Sequence, residues 1–284
     1  MNVSIEEIEL KLLIEAIVQR YGYDFRDYSE ASFRRRVAAA MNKHSIKSLS
    51  LLQHELLRSP DFFSQLVSDL TVTTSEMFRD PEFFHALRTE IIPVLKTYPA
   101  IKIWHAGCSK GEEVYSLAII LQEEGLLSRT IIYATDINEA ALEIAKAGIY
   151  PLDAVATYTR NYHKSGGRGN FADYYVASYE AAKFDSNLIS NVVFAEHNLA
   201  TDDVFSEVTL ILCRNVLIYF KRPLQNKVFD LFSRSLSYKG FLCLGSKETM
   251  RLSPAAKDFE SSPSHSSIYR KIVSEKSVIL GDET

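Results

Sequence analysis

Strand-length apolar runs limit what this chain can fold into: IKIWHA (101–106), TIIYATD (130–136), NVVFAE (191–196), VTLILC (208–213) and GFLCLG (240–245). Helical periodicity fills much of the space between them, over 81–95, 111–124, 138–147 and 223–237. Runs that are apolar at almost every position belong to strands covered on both faces, and their alternation with helices predicts a parallel sheet between helical layers. Before residue 70 the pattern is different and purely helical. Ile5, Ile8, Leu12 and Ile17 mark a first helix that ends near Tyr21-Gly22, and Ser29 is placed to cap a second that carries Phe33, Val37, Ala40 and Met41. Shorter apolar-periodic segments over 49–57 and 62–70 are divided by Ser59-Pro60.

This rhythm predicts an all-α N-terminal domain (1–70) followed by an α/β domain (71–273) that opens with a linker (71–80). The stretch YHKSGGRGNFADYYVASYE has glycines followed by alternating aromatics, and predicts a small antiparallel β insertion over about 158–190. Residues 274–284 carry no pattern and are expected to be disordered. With 284 residues the chain is long enough for two domains, and no apolar run nears the roughly 18 residues of a membrane span. A formal charge of −4 argues against a dedicated nucleic-acid binder. Three scattered cysteines and seven histidines without ligand spacing predict neither disulfides nor a metal. The start MNVSIEEIELK lacks the basic-then-apolar order of a signal peptide, so a monomeric cytoplasmic protein is expected.

The turn after the first sheet strand poses a question of charge. Ligands of open α/β sheets bind at the carboxyl ends of strands near the point where strand order reverses, which is where Gly107-Cys-Ser-Lys-Gly111 lies. Neither GxxxxGK[ST] nor GxGxxG is present, and Glu112 and Glu113 would repel a phosphate. One glutamate there can simply complement the helix dipole. Two beside glycines point to a ligand that carries an ammonium or another cation, and S-adenosylmethionine (SAM) has an ammonium, a sulfonium and no phosphate. Asp136 closes the next strand, where an acid takes ribose hydroxyls or caps the following helix. Asn198 and Leu199 fall where an adenine edge would lie, and Arg214 and Asn215 follow the fourth strand, facing the transferred group.

The segments SKGEEVYSLA, ATDIN, HNLA and CRNVLIYF, in this order, resemble the CheR-type chemoreceptor glutamate methyltransferases. The resemblance runs from about residue 5 to 273 and implies a Rossmann-like SAM-dependent methyltransferase sheet behind an all-α domain. By that likeness Gly107 and Glu113 meet SAM, with Glu113 at its methionine part. Asp136 meets the ribose, Asn198 and Leu199 the adenine, while Arg214 and Asn215 line the cofactor. Thr73, Ser75 and Arg79 match the family's linker motif N-x-T-x-F-[FY]-R, which closes over SAM. The match departs from the motif with Thr73 for Asn, Ser75 for Thr and Met77 for an aromatic, and SKGEE stands for STGEE.

The implied reaction moves a methyl group from SAM to a glutamate carboxylate of a chemoreceptor's cytoplasmic helical domain, leaving S-adenosylhomocysteine, with no metal. Arg79 is the candidate clamp for the acceptor carboxylate and Tyr219 a hydroxyl donor near the acceptor or sulfonium. Between Ser29 and Ser48 five basic residues face one acid, a local +4. Arg34, Arg35, Arg36 and Lys43 therefore read as an outward stripe for docking an acidic receptor helix. A small-molecule O-methyltransferase would share the SAM crevice without needing that stripe, and a receptor-binding adaptor would need the stripe without catalysis.

Overall fold

A computed structural model describes residues 4–273; the predicted disordered tail lies outside them. The first four helices are α1 (Ile5–Tyr21), α2 (Glu30–Lys43), α3 (Leu49–Arg58) and α4 (Pro60–Leu70). Local chemistry fixes their ends. Ser4 and Glu7 form a reciprocal capping box at α1, and Gly22 closes it in the left-handed conformation at φ 77°. Ser59 ends α3 and caps α4, accepting from Phe62 N–H at 3.1 Å, with Pro60 supplying the first helical residue. The buried face of α1 is Leu10, Leu13, Ala16 and Ile17, which joins Leu52, Leu56 and Leu66 in one core. Of the predicted apolar set only Ile17 is buried; Ile5, Ile8 and Leu12 face outward because α1 carries two apolar stripes and α3 covers the C-terminal one.

The chain then runs through α5 (Pro81–Ala86), a π-helical turn (Leu87–Ile91) and α6 (Ile92–Leu95) into β1 (Ile101–Ala106). The single helix predicted over 81–95 is interrupted here. Pro93 has no N–H to give to Thr89, and the Thr89 hydroxyl turns back onto the carbonyls of His85 and Ala86. Next come α7 (Glu112–Glu123), β2 (Thr130–Asp136), α8 (Glu139–Ala147), β3 (Ile149–Pro151) and α9 (Leu152–Lys164). After β4 (Tyr175–Ser178) and β5 (Ala181–Phe184) follow β6 (Val192–Glu196), β7 (Val208–Cys213), α10 (Arg222–Ser235) and β8 (Leu236–Leu244). The hairpin partners β9 (Phe259–Ser261) and β10 (Ile268–Lys271) complete the described residues.

Seven strands form one sheet in the order β6-β2-β1-β7-β8-β10-β9. It is parallel from β6 to β8, and β10 enters antiparallel between β8 and β9. The order reverses between β1 and β7, so their carboxyl ends open the crevice expected of this topology. The sheet is mixed rather than purely parallel, since β9 and β10, short strands on either side of a Ser-rich turn, escape a search for long apolar runs. β8 begins four residues earlier than the predicted strand, paired to β7 through a register shift.

A second sheet, β3-β5-β4, is the antiparallel insertion. Its boundaries differ from the prediction: β3 precedes residue 158, and residues 152–164 are the helix α9. Thr, Tyr and Val favour strands there, but Val155, Tyr158 and Tyr162 fall at helical spacing and are buried. The tight turn between β4 and β5 is Tyr179-Glu180 with Tyr179 at φ 53°, not a glycine turn.

Candidate active site

The glutamate pair at the start of α7 divides. Gly111 caps the helix at φ 89°, where a Cβ would meet the Ala145 Cβ at 2.7 Å. Glu113 faces the crevice, and its Oε1 lies 3.1 Å from His105 Nε2 on β1 and its Oε2 2.5 Å from Arg214 Nη1. Burial works against its charge, but Arg214 and His105 outweigh burial and hold the carboxyl below its usual range. Glu112 is also buried, lies outside the crevice lining, and has an Oε2 without a partner among the described residues. Burial pushes its carboxyl up. The double-carboxylate site for a cationic ligand implied by the sequence is therefore a single carboxylate, already partnered, with lone pairs to spare.

Arg214 is engaged through both terminal nitrogens, while its buried Nε has no partner among the described residues. Besides Glu113, its Nη2 pairs with Asp80 Oδ2 at 2.7 Å, its Nη1 also donates to Arg79 O at 3.3 Å, and its guanidinium lies 4.1 Å from the Phe83 ring centre. It borders the crevice, but its charge is balanced within the chain. Next in sequence, Asn215 takes φ 62°, and its N–H donates to Glu248 Oε2 at 2.9 Å. The same buried carboxylate accepts from Gly245 N–H at 2.6 Å and Ile218 N–H at 3.3 Å, so it shapes the turn that presents Asn215 and Tyr219.

At the end of β2, Asp136 Oδ2 accepts from Ser109 N–H at 2.7 Å and Oδ1 from Asn138 N–H at 2.9 Å. Burial pushes this carboxyl above its ordinary value despite those donors. Asn138, not Asp136, caps α8. Gly107 sits at φ 75°, and a Cβ there would lie 2.4 Å from Val216 Cγ2, so the β1 and β7 turns meet only because it is glycine. Asn198 and Leu199 line the same crevice, with Asn198 Oδ1 held by Ala200 N–H at 3.0 Å. Five buried polar atoms of crevice residues have no partner among the described residues: Arg36 Nε, His105 Nδ1, Ser109 Oγ, His197 Nδ1 and Arg214 Nε.

The linker and the all-α domain supply the opposite wall. Val72, Thr74, Ser75 and Arg79 line it. Thr73, expected there, is not among the residues that line it. Met77 replaces an aromatic by filling the core at full burial. Arg79 and Tyr219 both reach the crevice, and neither side chain is bonded elsewhere among the described residues. The segment before α2 runs along the Tyr219 turn: Ser29 N–H donates to Tyr219 O and Lys221 N–H to Asp27 O, both at 2.7 Å, while Tyr28 packs on Phe220.

The predicted outward stripe on α2 is broken. Arg36 turns into the crevice wall, donates to Thr71 O at 3.0 Å and leaves a buried Nε without a partner. Arg34 is held by Glu30 at 3.1 Å and Glu6 at 3.3 Å, and Lys43 by Asp69 at 2.6 Å. Arg35 is exposed and makes no ion pair among the described residues. Consecutive helical residues point about 100° apart, so three in a row cannot share one face. The residues that the sequence did not single out are His105, Asp80, Glu248 and Tyr28. Among the described residues no cluster of three His, Cys, Asp or Glu side chains is placed to hold a metal, and no helix is long and apolar enough to cross a membrane.

Residues 73–267 match the family model described as CheR methyltransferase, SAM binding domain, and residues 8–71 match CheR methyltransferase, all-alpha domain. The chain is 53% identical over 265 residues to a Pseudomonas putida protein named "Putative methyltransferase Cher3", covering 93% of this chain and 97% of that one. It is 30% identical over 257 residues to Chemotaxis protein methyltransferase 1 of Vibrio cholerae, covering 87% and 91%. A Chemotaxis protein methyltransferase of Borreliella burgdorferi is 26% identical over 267 residues, covering 88% and 91%.

Proposed function

The chain belongs to the CheR family of SAM-dependent methyltransferases, and we propose that it methylates glutamate side chains on the cytoplasmic helical domain of chemoreceptors. One observation carries this reading. The α/β side gives the crevice its carboxylates, Glu113 and Asp136, and its own cation, Arg214, is balanced by Glu113 and Asp80, while the linker and the all-α domain give it the cations Arg79 and Arg36. A cationic methyl donor and an anionic acceptor are thus matched by opposite walls. The crevice fits SAM on its own chemistry. It has a carboxylate with spare lone pairs for the ammonium, another at a strand end for the ribose, and unpartnered buried polar atoms on residues that line the space.

When bound, SAM supplies a methyl group on a sulfonium. Glu113 would hold its ammonium and Asp136 its ribose hydroxyls, with Asn198 and Leu199 beside the adenine. On the acceptor side Arg79 grips one carboxylate oxygen, leaving the other to be aligned, and the Tyr219 hydroxyl donates nearby. A glutamate with an ordinary pKa of about 4.3 is ionised at neutral pH, so no residue has to act as a base. The chain's work is alignment and removal of water from that carboxylate. Methylation turns the anion into a neutral ester, which loosens the grip of Arg79 and favours release.

Of the predicted stripe, Arg35, exposed on α2 and without an ion pair among the described residues, is the cation left to meet an acidic receptor helix. The test is transfer of labelled methyl from SAM to receptor cytoplasmic fragments, read as label released by mild alkali, since carboxylate methyl esters hydrolyse there. Alkali-labile label is expected on glutamates of the fragment. Binding of S-adenosylhomocysteine without any transfer to receptor fragments would refute the substrate assignment.

A further inference from the structure

The linker carries Arg79 between two non-glycine residues in the left-handed region, Phe78 at φ 53° and Asp80 at φ 57°. L-residues rarely adopt this conformation, and it persists only where surrounding contacts over-determine it, which is a feature of functional sites. Both flanks are pinned. Phe78 N–H donates to the buried Ser116 Oγ at 2.9 Å, which in turn donates to Glu112 O at 2.8 Å. The Phe78 ring is fully buried against Phe84 and Tyr162. On the other side Asp80 stands at the N-cap of α5, a position where Asp usually bonds the first helical N–H groups. It makes no such bond. Its carboxylate reaches instead to Arg214 Nη2 at 2.7 Å, and the same guanidinium takes the carbonyl of Arg79.

We infer that Asp80 is a positioning residue for Arg79: through Arg214 it locks the strap in the left-handed conformation that aims Arg79 into the crevice. The inference rests on the reading that Arg79 holds the acceptor carboxylate. It differs from a capping or charge-balancing role for Asp80, because those would act whether or not Arg79 were present. Arg214 is fixed from behind by Glu113, which is itself held by His105 on β1, so the strap is referenced to the floor of the sheet.

The experiment is a double-mutant cycle on the full chain with Asp80→Asn and Arg79→Ala, reading kcat for methyl transfer and Kd for S-adenosylhomocysteine. Asp80→Asn should lower kcat about tenfold or more, leave Kd within about twofold, and add less than about twofold to the loss in Arg79→Ala. An unchanged kcat, or an equal loss in both backgrounds, overturns the inference. Amide hydrogen exchange across residues 77–80 needs no turnover and is measured on the same proteins. Exchange at Phe78, whose N–H is held by Ser116 Oγ, should quicken about tenfold in Asp80→Asn while α7 stays protected. Unchanged exchange refutes the lock even if wild-type turnover on receptor fragments is absent, an absence that counts against the functional reading alone.

Discussion

Replacing Asp136 with Asn separates cofactor recognition from everything else in the crevice. The carboxylate already accepts two backbone N–H groups, from Ser109 and Asn138, and each oxygen keeps a lone pair for a ribose hydroxyl. Asn retains one such oxygen. Its NH₂ must face the other backbone donor, so one ribose bond is lost outright and the second loses its charge. Hydrogen bonds to charged groups contribute about 1.5–3 kcal/mol against about 1 for neutral ones, giving an expected loss of about 2–5 kcal/mol. At about 1.4 kcal/mol per decade that is at least roughly 30-fold in Kd. Calorimetric titration with S-adenosylhomocysteine measures it, with a thermal melt to confirm folding. The pH dependence supplies a second check. Burial raises the Asp136 carboxyl above 3.8, so wild-type affinity, which needs the ionised form, should fall as pH drops through that raised value. The Asn variant lacks this limb. For the empty fold the sign is opposite: the contribution of Asp136 to stability is present below 3.8 and is lost as pH rises through the folded value. A Kd within about threefold of wild type, below about 0.7 kcal/mol, would refute the ribose assignment.

Glu113→Gln removes one of the two carboxylates on Arg214, whose side chain is only 1% exposed, and breaking a buried pair costs about 3–5 kcal/mol. At roughly 2–4 °C per kcal/mol the melting temperature should drop by about 6–20 °C. Because the Glu113 carboxyl lies below 4.5, its contribution to stability is present above 4.5 and lost as pH falls through the lower folded value; acid melts of wild type should show that limb and the variant should not. Coincident curves would sink the pairing. The two neighbouring arginines of α2 should behave differently: Arg36→Ala should lower kcat, whereas Arg35→Glu should raise KM for receptor fragments in a manner damped by salt, as exposed charges are screened over about 8 Å at physiological ionic strength. Steady-state kinetics at two salt concentrations distinguish them, and identical behaviour would mean that Arg36 does not act from the crevice wall.

The positions most legible in the sequence are those at strand ends. Asp136 and the glycine turn before Glu113 stand where long apolar runs stop, and a doubly covered sheet has its crevice there. What the sequence hides depends on partners distant along the chain. His105 reads as one more residue of an apolar strand, and only the fold brings Glu113 beneath it. Glu248 looks like a turn acid until the Asn215 turn is seen to donate to it. The strap is hard to see because left-handed backbone is signalled by Gly and less often by Asn or Asp: Phe78 gives no such cue, and Asp80 before Pro81 reads first as a helix cap. The direction of Arg36 is lost for a simpler reason: a sum of charge along α2 ignores the angle between successive side chains. Strand-prone residues hide α9, whose helix is decided by burial of Val155, Tyr158 and Tyr162.

The pairing of Asp27 and Ser29 with Lys221 and Tyr219 bears on how this architecture can be recombined. Because the connection before α2 is bonded to the turn that presents Tyr219, the all-α unit is part of the reaction chamber and not an attachment that selects clients from a distance. Exchanging it for the corresponding unit of a relative would alter client choice and chamber geometry in one step. Lineages of such proteins therefore have to change both together, and a chimera that gains a new client should be judged first on whether this seam still closes.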